Sequence, residues 1–192
     1  MRLKLYLWIL FVSMAVVFLC NAIFYPQGYA IWQLALFTYL NSIAIFGIDA
    51  LVATIIHKLP AKWFSPYKKL FRSYKWEKKF YKAIRIIDWK DKIPDTGKLT
   101  TGLSKSKIDS TKPEYLFHFL VETCYAECLH FWMSLVGIII ILVNPANLAL
   151  PMMLPLAIVN FGLNIPPIFI QRNNRPKMLY VYEVQKKREA AC

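Results

Sequence analysis

Charge is scarce in this sequence, and most of it has one sign. Eleven Asp and Glu stand against 24 Lys and Arg in 192 residues. Charged residues make up 18% of the chain, against about a quarter in an ordinary soluble domain, which argues against one soluble globular domain. Cysteine is scarce too. Of the four, Cys20, Cys124 and Cys128 lie in apolar stretches and Cys192 is the last residue, so no disulfide framework of a secreted module is visible. No GxxxxGK[ST] spacing occurs, so the Gly, Ser, Thr and Lys stretch from Thr96 to Thr111 is read as loop rather than as a phosphate cradle.

What is abundant is hydrophobic surface. Apolar residues make up 57% of the chain, mean hydropathy is +0.39 and the formal charge is +13. The two properties coexist because apolar and basic residues alternate in blocks, as in a membrane protein. Four segments have the ~20 mostly apolar residues needed to cross a bilayer: Leu5 to Tyr25, Ile31 to Ile56, Tyr115 to Val143 and Leu148 to Ile170. The expected fold is therefore all-α and polytopic, with four transmembrane helices and a basic amphipathic cytoplasmic segment between the second and third. The chain divides into a helix pair at 1–56, the basic segment at 57–112, a second helix pair with polar motifs at 113–180 and a tail at 181–192. Pro151, Pro155 and the Pro166-Pro167 pair predict kinks or a break in the fourth span. The first span has a competing reading as a secretory signal, with Gly28-Tyr29-Ala30 offering a small residue for cleavage. Its uncharged run is longer than the ~7–15 residues of a signal h-region, which favours a retained span.

Lysine and arginine orient the chain. All 24 lie at Arg2 and Lys4, between Lys58 and Lys112, or after Gln171, and the connectors Pro26 to Ala30 and Asn144 to Asn147 have none. The positive-inside rule places both termini and the central segment in the cytoplasm and the short turns outside, in a cell membrane.

Residues 57–112 hold 16 Lys and Arg and five Asp and Glu. Trp63, Tyr67, Leu70, Phe71, Tyr74, Tyr81 and Ile84 recur at helical spacing among the lysines, a pattern that suits a helix in the headgroup plane over anionic membrane lipids. The same interleaving occurs in single-strand nucleic-acid grooves, but direct tethering to the second span favours the membrane and no nucleic-acid partner. A solvated loop with no further role is the remaining reading.

The most informative block is Glu122-Thr-Cys-Tyr-Ala-Glu127-Cys-Leu-His130. At about 100° per residue, Glu122, Glu127 and His130 fall at about 0°, 140° and 80°, which sets the histidine between two carboxylates on one side of the helix. Ionisable groups in a span are functional candidates by default, and an imidazole beside a carboxylate suits a general base. Glu122 can alternatively snorkel to the interface. Glu127 and His130 have the Glu-x-x-His spacing of carboxylate-bridged metal sites, but a second such motif is missing, and neither a metal nor another cofactor is implied. Asn160, Asn164 and Gln171 share a stripe of the fourth span, followed by Arg172, Asn173, Asn174 and Arg175. Amides there can bind neighbouring helices, and the two arginines can anchor the chain or hold a phosphate or carboxylate. Asp49 lies nine residues before Lys58, about 13 Å along a helix. Polar groups on three segments thus cluster toward the cytoplasmic leaflet.

The block at 122–130, with Asn164-Ile-Pro166, Gln171-Arg-Asn-Asn-Arg175 and Trp89-Lys-Asp-Lys-Ile-Pro94, resembles the glycosyl-4,4'-diaponeurosporenoate acyltransferase family of late staphyloxanthin-type carotenoid synthesis, over residues 85–180. The resemblance implies transfer of a fatty acyl chain from a donor to a sugar hydroxyl of a membrane-embedded, lipid-linked acceptor. Chemistry then suggests the roles: His130 as general base, Glu127 or Glu122 orienting it, Asn164 or Gln171 donating to the oxyanion, and Arg172 and Arg175, with Asn174 and Asp49 nearby, on the substrates. Cys124 or Cys128 would serve a covalent route, which an apolar helix disfavours. The competing class is a nonenzymatic membrane protein that binds lipid or a partner.

Overall fold

The computed structural model describes residues 2–24, 29–93, 108–143 and 153–191. The Asn144 to Asn147 turn, Pro151, most of the loop from Thr96 to Thr111 and the Gly28 position lie outside the described residues. The described residues form six α-helices: α1 (Arg2–Phe24), α2 (Ile31–Lys58), α3 (Lys75–Ala83), α4 (Ile86–Trp89), α5 (Pro113–Val143) and α6 (Leu154–Ala190). Single 3-10 turns lie at Ala61–Phe64 and Lys69–Phe71, and no strand occurs among the described residues. Helices α1, α2, α5 and α6 are each long and apolar enough to cross a membrane. The fold is all-α, and by length and composition the protein is a multi-pass membrane protein.

Two departures from the sequence reading have simple causes. The aromatic periodicity of the basic segment does not form one long helix. The buried Pro66 interrupts it, and only α3 realises the helical spacing. Conversely, of the kinks or break expected in the fourth span, the break does not occur at these prolines: α6 runs as one helix through Pro166, Pro167 and Pro176. Pro155 falls in its first turn, where a missing N–H costs nothing.

Contacts group the chain into two compact units that cut across α5 and α6 rather than following segment order. The first comprises Met1–His57 and Leu129–Ile165, the second Lys58–Cys128 and Pro166–Cys192.

In the first unit, Val17, Leu34, Ile45, Val136, Ile140, Met153 and Leu156 form the core. Trp8, Phe11, Leu19, Leu40 and Leu51 remain exposed, as side chains facing lipid do. Several polar side chains here close hydrogen bonds within the unit. Asn21 Nδ2 on α1 donates to Thr38 Oγ1 on α2 at 3.1 Å, and Ser42 Oγ donates to the Thr38 carbonyl at 2.7 Å. At Gly137, α5 and α6 approach closely. A Cβ on it would stand 2.7 Å from Ala157 Cα, so the small pair lets the backbones meet.

In the second unit, Leu116, Phe119 and Leu120 of α5 pack with Met178 and Tyr182 of α6. The basic segment is stitched onto them. Phe64 stacks on Tyr125 at 3.8 Å between ring centroids, the Tyr125 hydroxyl donates to the Leu59 carbonyl at 2.7 Å, and Tyr67 donates to Glu183. Arg85, with φ of 51°, makes the left-handed turn from α3 to α4. Phe64, Phe71 and Tyr81 are thereby buried, while Trp63, Leu70, Tyr74, Trp76 and Ile87 stay exposed.

Candidate active site

In the first unit, His130 of α5 is half-buried. Its Nδ1 lies 2.8 Å from Asn164 Oδ1 of α6. The orientation of that amide follows from its other partners: Asn164 Nδ2 donates to the Asn160 carbonyl at 3.0 Å and to Asn160 Oδ1 at 3.1 Å. Asn160 Nδ2 in turn donates to the Met133 carbonyl at 2.7 Å. A backbone carbonyl can only accept, so the chain of amides has one direction, and at its end Nδ1–H of His130 must donate to Asn164 Oδ1. The ring is fixed as the tautomer whose Nε2 carries a free lone pair. An amide therefore holds His130 where a carboxylate was expected. Both N–H groups of Asn164 are engaged, so this residue positions the imidazole and is not free to donate to an oxyanion.

In the second unit, Glu127 of α5 pairs with both arginines of the α6 motif. Arg172 Nη1 donates to its Oε1 at 2.5 Å. Arg175 Nη1 stands 2.6 Å from its Oε2, a charge contact without hydrogen-bond alignment, and donates to the Phe71 carbonyl at 2.9 Å. Arg175, 2% exposed, also donates to Thr123 Oγ1 and to the Thr123 carbonyl and lies over the Phe71 ring. Arg172 forks onto Glu77 of α3, Nη2 to Oε1 at 2.7 Å and Nε to Oε2 at 3.0 Å, and donates to the Leu70 and Arg72 carbonyls at 3.0 and 2.8 Å. Two buried carboxylates thus neutralise two guanidiniums. Burial raises the Glu77 carboxyl, but the hydrogen bonds and charge of Arg172, helped by the Tyr81 hydroxyl and the Tyr74 N–H, outweigh it and leave Glu77 below its ordinary 4.5. Burial and the Glu77 charge hold the Tyr81 phenol above its usual range.

The other sequence candidates stand apart from these networks. Glu122, Gln171 and Asn174 are half-buried, and Asn174 Oδ1 accepts from Asn173 Nδ2 at 3.3 Å. Asp49 of α2, in the first unit, is half-buried, with Oδ1 enclosed and unbonded. Cys124 is wholly buried, which leaves its thiol no open face for an acyl donor. Among the described residues no group of three His, Cys, Asp or Glu is placed to hold a metal ion.

Sequence reasoning missed Glu77, Tyr81 and Thr123. A signal for Glu77 was available: it is the lone acid between Lys58 and Ile87, and an isolated acid in a basic run invites a search for its partner. Thr123 carried none, because its role is to offer a hydroxyl and a carbonyl to a side chain 52 residues away.

No solved structure matches this chain. A curated relative from Staphylococcus haemolyticus (strain JCSC1435), named glycosyl-4,4'-diaponeurosporenoate acyltransferase, is 26% identical over 164 residues, covering 83% of this chain and 93% of the relative. Relatives of the same name from Staphylococcus aureus, strains bovine RF122 / ET3-1 and USA300, are each 28% identical over 146 residues, 71% of this chain and 82% of theirs. The family model described as glycosyl-4,4'-diaponeurosporenoate acyltransferase matches residues 60–184, a span that holds the whole arginine–carboxylate network together with His130, Asn160 and Asn164, and the chain accordingly belongs to that family.

Proposed function

We propose that this protein is a cell-membrane acyltransferase that esterifies a sugar hydroxyl of a lipid-linked acceptor, such as a glycosylated carotenoid, with a fatty acyl chain. Both termini and the segment from Lys58 to Lys112 face the cytoplasm, a reading supported by the distribution of basic residues, and the segment's exposed aromatics and lysines rest at the anionic headgroup layer. Family membership supports the reaction class. The single observation that carries the mechanism is the run of amides from the Met133 carbonyl through Asn160 and Asn164 to His130.

In this reading His130 Nε2 takes the proton of the acceptor hydroxyl as its oxygen attacks the acyl carbonyl carbon. The new C–O ester bond forms, the donor's leaving group departs with its electron pair, and the imidazolium returns the proton to it. Asn164 keeps Nδ1–H pointed away from the reacting oxygen. Arg172, Arg175, Glu127 and Glu77 act as a neutral brace for the second unit. With its donors and charges matched internally, this brace is not left to hold the donor's acidic group.

The test is ester formation by purified protein in lipid nanodiscs, given an acyl donor and a glycolipid acceptor. Losing a general base costs roughly 10²–10⁴ in rate, so His130→Ala should lose that much at normal abundance and melting temperature. Undiminished turnover in His130→Ala would remove the residue from the mechanism. If wild-type protein forms no ester with any donor and acceptor pair, the lipid-binding or partner-binding reading replaces the enzyme.

A further inference from the structure

The second unit contains a pocket of about 440 Å³, within the ~300–1,000 Å³ of small-molecule sites. Its walls are aromatic, from Tyr74, Trp76, Phe80 and Phe169, with Phe80 and Phe169 edge to face at 5.3 Å between centroids. Glu77 and Arg172 also line it.

Hydrogen-bond accounting says what this pocket can recognise. A guanidinium has five N–H donors, and all five of Arg172 are spent, on Glu77 Oε1, Glu77 Oε2, Glu127 Oε1 and the Leu70 and Arg72 carbonyls. A carboxylate has about four acceptor sites, and Glu77 engages three of them with two bonds from Arg172 and one from the Tyr81 hydroxyl at 3.1 Å. Arg172 therefore has no free donor, and Glu77, a carboxylate, has none to give. A phosphate gains nothing from them, whereas a hydrocarbon chain gains the aromatic walls.

The surface of the same segment is of one sign. Residues 61–84 carry eight Lys and Arg and one acid. That acid is the buried, neutralised Glu77, while the eight bases are exposed. A chain entering the pocket thus arrives through a field that favours an anionic carrier.

Resting on the acyltransferase reading above, we propose that this pocket takes the hydrocarbon chain of the acyl donor, and that the lysines of α3 take the phosphates of its carrier. The donor class is then a cytoplasmic long-chain acyl thioester on a phosphate-bearing carrier. A membrane phospholipid, which also joins chains to a phosphate, is the competing source.

The experiment is binding without acceptor, so that no transfer occurs. Full-length protein in phosphatidylcholine nanodiscs is titrated with palmitoyl-coenzyme A, coenzyme A and palmitate, following tryptophan emission and subtracting the signal of Trp76→Phe. Palmitoyl-coenzyme A should bind saturably, at least about tenfold tighter than either coenzyme A or palmitate. Phe80→Ala should weaken palmitoyl-coenzyme A and palmitate together. Lys75→Gln/Lys78→Gln/Lys79→Gln should weaken only palmitoyl-coenzyme A and flatten its salt dependence. Both variant sets alter surface side chains, and a melting temperature within about 2 °C of wild type confirms that they fold. The proposal is overturned if palmitate binds as tightly as its thioester, if neither variant set changes binding, or if phosphatidylglycerol in the nanodisc abolishes the thioester response and itself quenches Trp76. Loss of turnover in His130→Ala with binding intact leaves the pocket assigned. Ester formation from palmitoyl-coenzyme A that is insensitive to both variant sets overturns the pocket while leaving the reaction standing.

Discussion

The hydroxyl of Ser73 donates a 2.7 Å hydrogen bond to the backbone carbonyl of Arg172, and the reason lies four residues further along α6. Position 176 is proline, which has no N–H to give to the carbonyl one turn earlier. That carbonyl would be orphaned in a part-buried place, and the serine replaces the missing donor. The same bond ties the basic segment to the arginine whose side chain gathers Glu77 and Glu127.

This relationship predicts a specific non-additivity. Ser73→Ala should destabilise the protein by about 1 kcal/mol, the usual worth of one hydrogen bond. In a Pro176→Ala background the helix supplies its own N–H, and the same change should cost almost nothing. Unfolding midpoints of the four proteins in detergent close the cycle. Equal costs in both backgrounds would show that the serine does not serve the carbonyl.

The buried brace makes a prediction about acid. Because Glu77 is held below its ordinary 4.5 by Arg172, it binds fewer protons folded than unfolded near that pH. Its contribution to stability is therefore complete above about 4.5 and is lost as pH falls through its lower folded value. Thermal midpoints should drop as pH falls below about 4.5, and Glu77→Gln should be less stable at neutral pH with a shallower acid slope. Arg172→Leu, which strands Glu77 and leaves Glu127 with Arg175 alone, should cost about 3–5 kcal/mol and be seen as low abundance in the membrane. A Glu77→Gln protein with the wild-type acid slope would assign the slope to other carboxylates.

Much of this was legible because the bilayer is a strict solvent. Four apolar runs, and the rule that polar groups in a span are rarely idle, suffice to single out His130, Glu127, Asn164 and Arg172 from sequence. Their partners were not legible. A helical wheel gives the angle of a side chain on its own helix, so it set His130 between Glu122 and Glu127, but the ring is held by Asn164 from another helix and Glu127 by arginines 45 and 48 residues away. The basic segment misled for a related reason. Its aromatic spacing mimics one amphipathic helix, yet Phe64 and Phe71 are buried through two 3-10 turns around Pro66, and periodicity alone does not distinguish core anchors from a lipid-facing stripe.

Orientation is open to a direct check. All basic residues fall on the connectors and ends assigned to the cytoplasm, so phosphatase and fluorescent reporters fused after Lys112 and after the C-terminus should both report the cytoplasmic side. Signal from the outer side at either position would break the four-span topology.

The last prediction concerns Asn164 as a positioning residue. Its Oδ1 accepts Nδ1–H of His130, and its Nδ2 is anchored on Asn160. Asn164→Leu keeps the volume and removes the acceptor, so the imidazole is free to rotate and to carry its proton on either nitrogen. Turnover should fall by about 10²-fold, approaching the lower end of what loss of the base itself costs, with the Michaelis constants for donor and acceptor little changed. Asn164→Asp restores an acceptor at the same point and should recover most of the rate, although it forfeits the bonds to Asn160 and is less stable. A merely structural role for Asn164 predicts the opposite order, because the buried carboxylate is then the more damaging change and leucine the milder one. Steady-state kinetics of the two variants, each scaled to its folded fraction, decide between them. Higher turnover in Asn164→Leu than in Asn164→Asp would remove the amide from the mechanism.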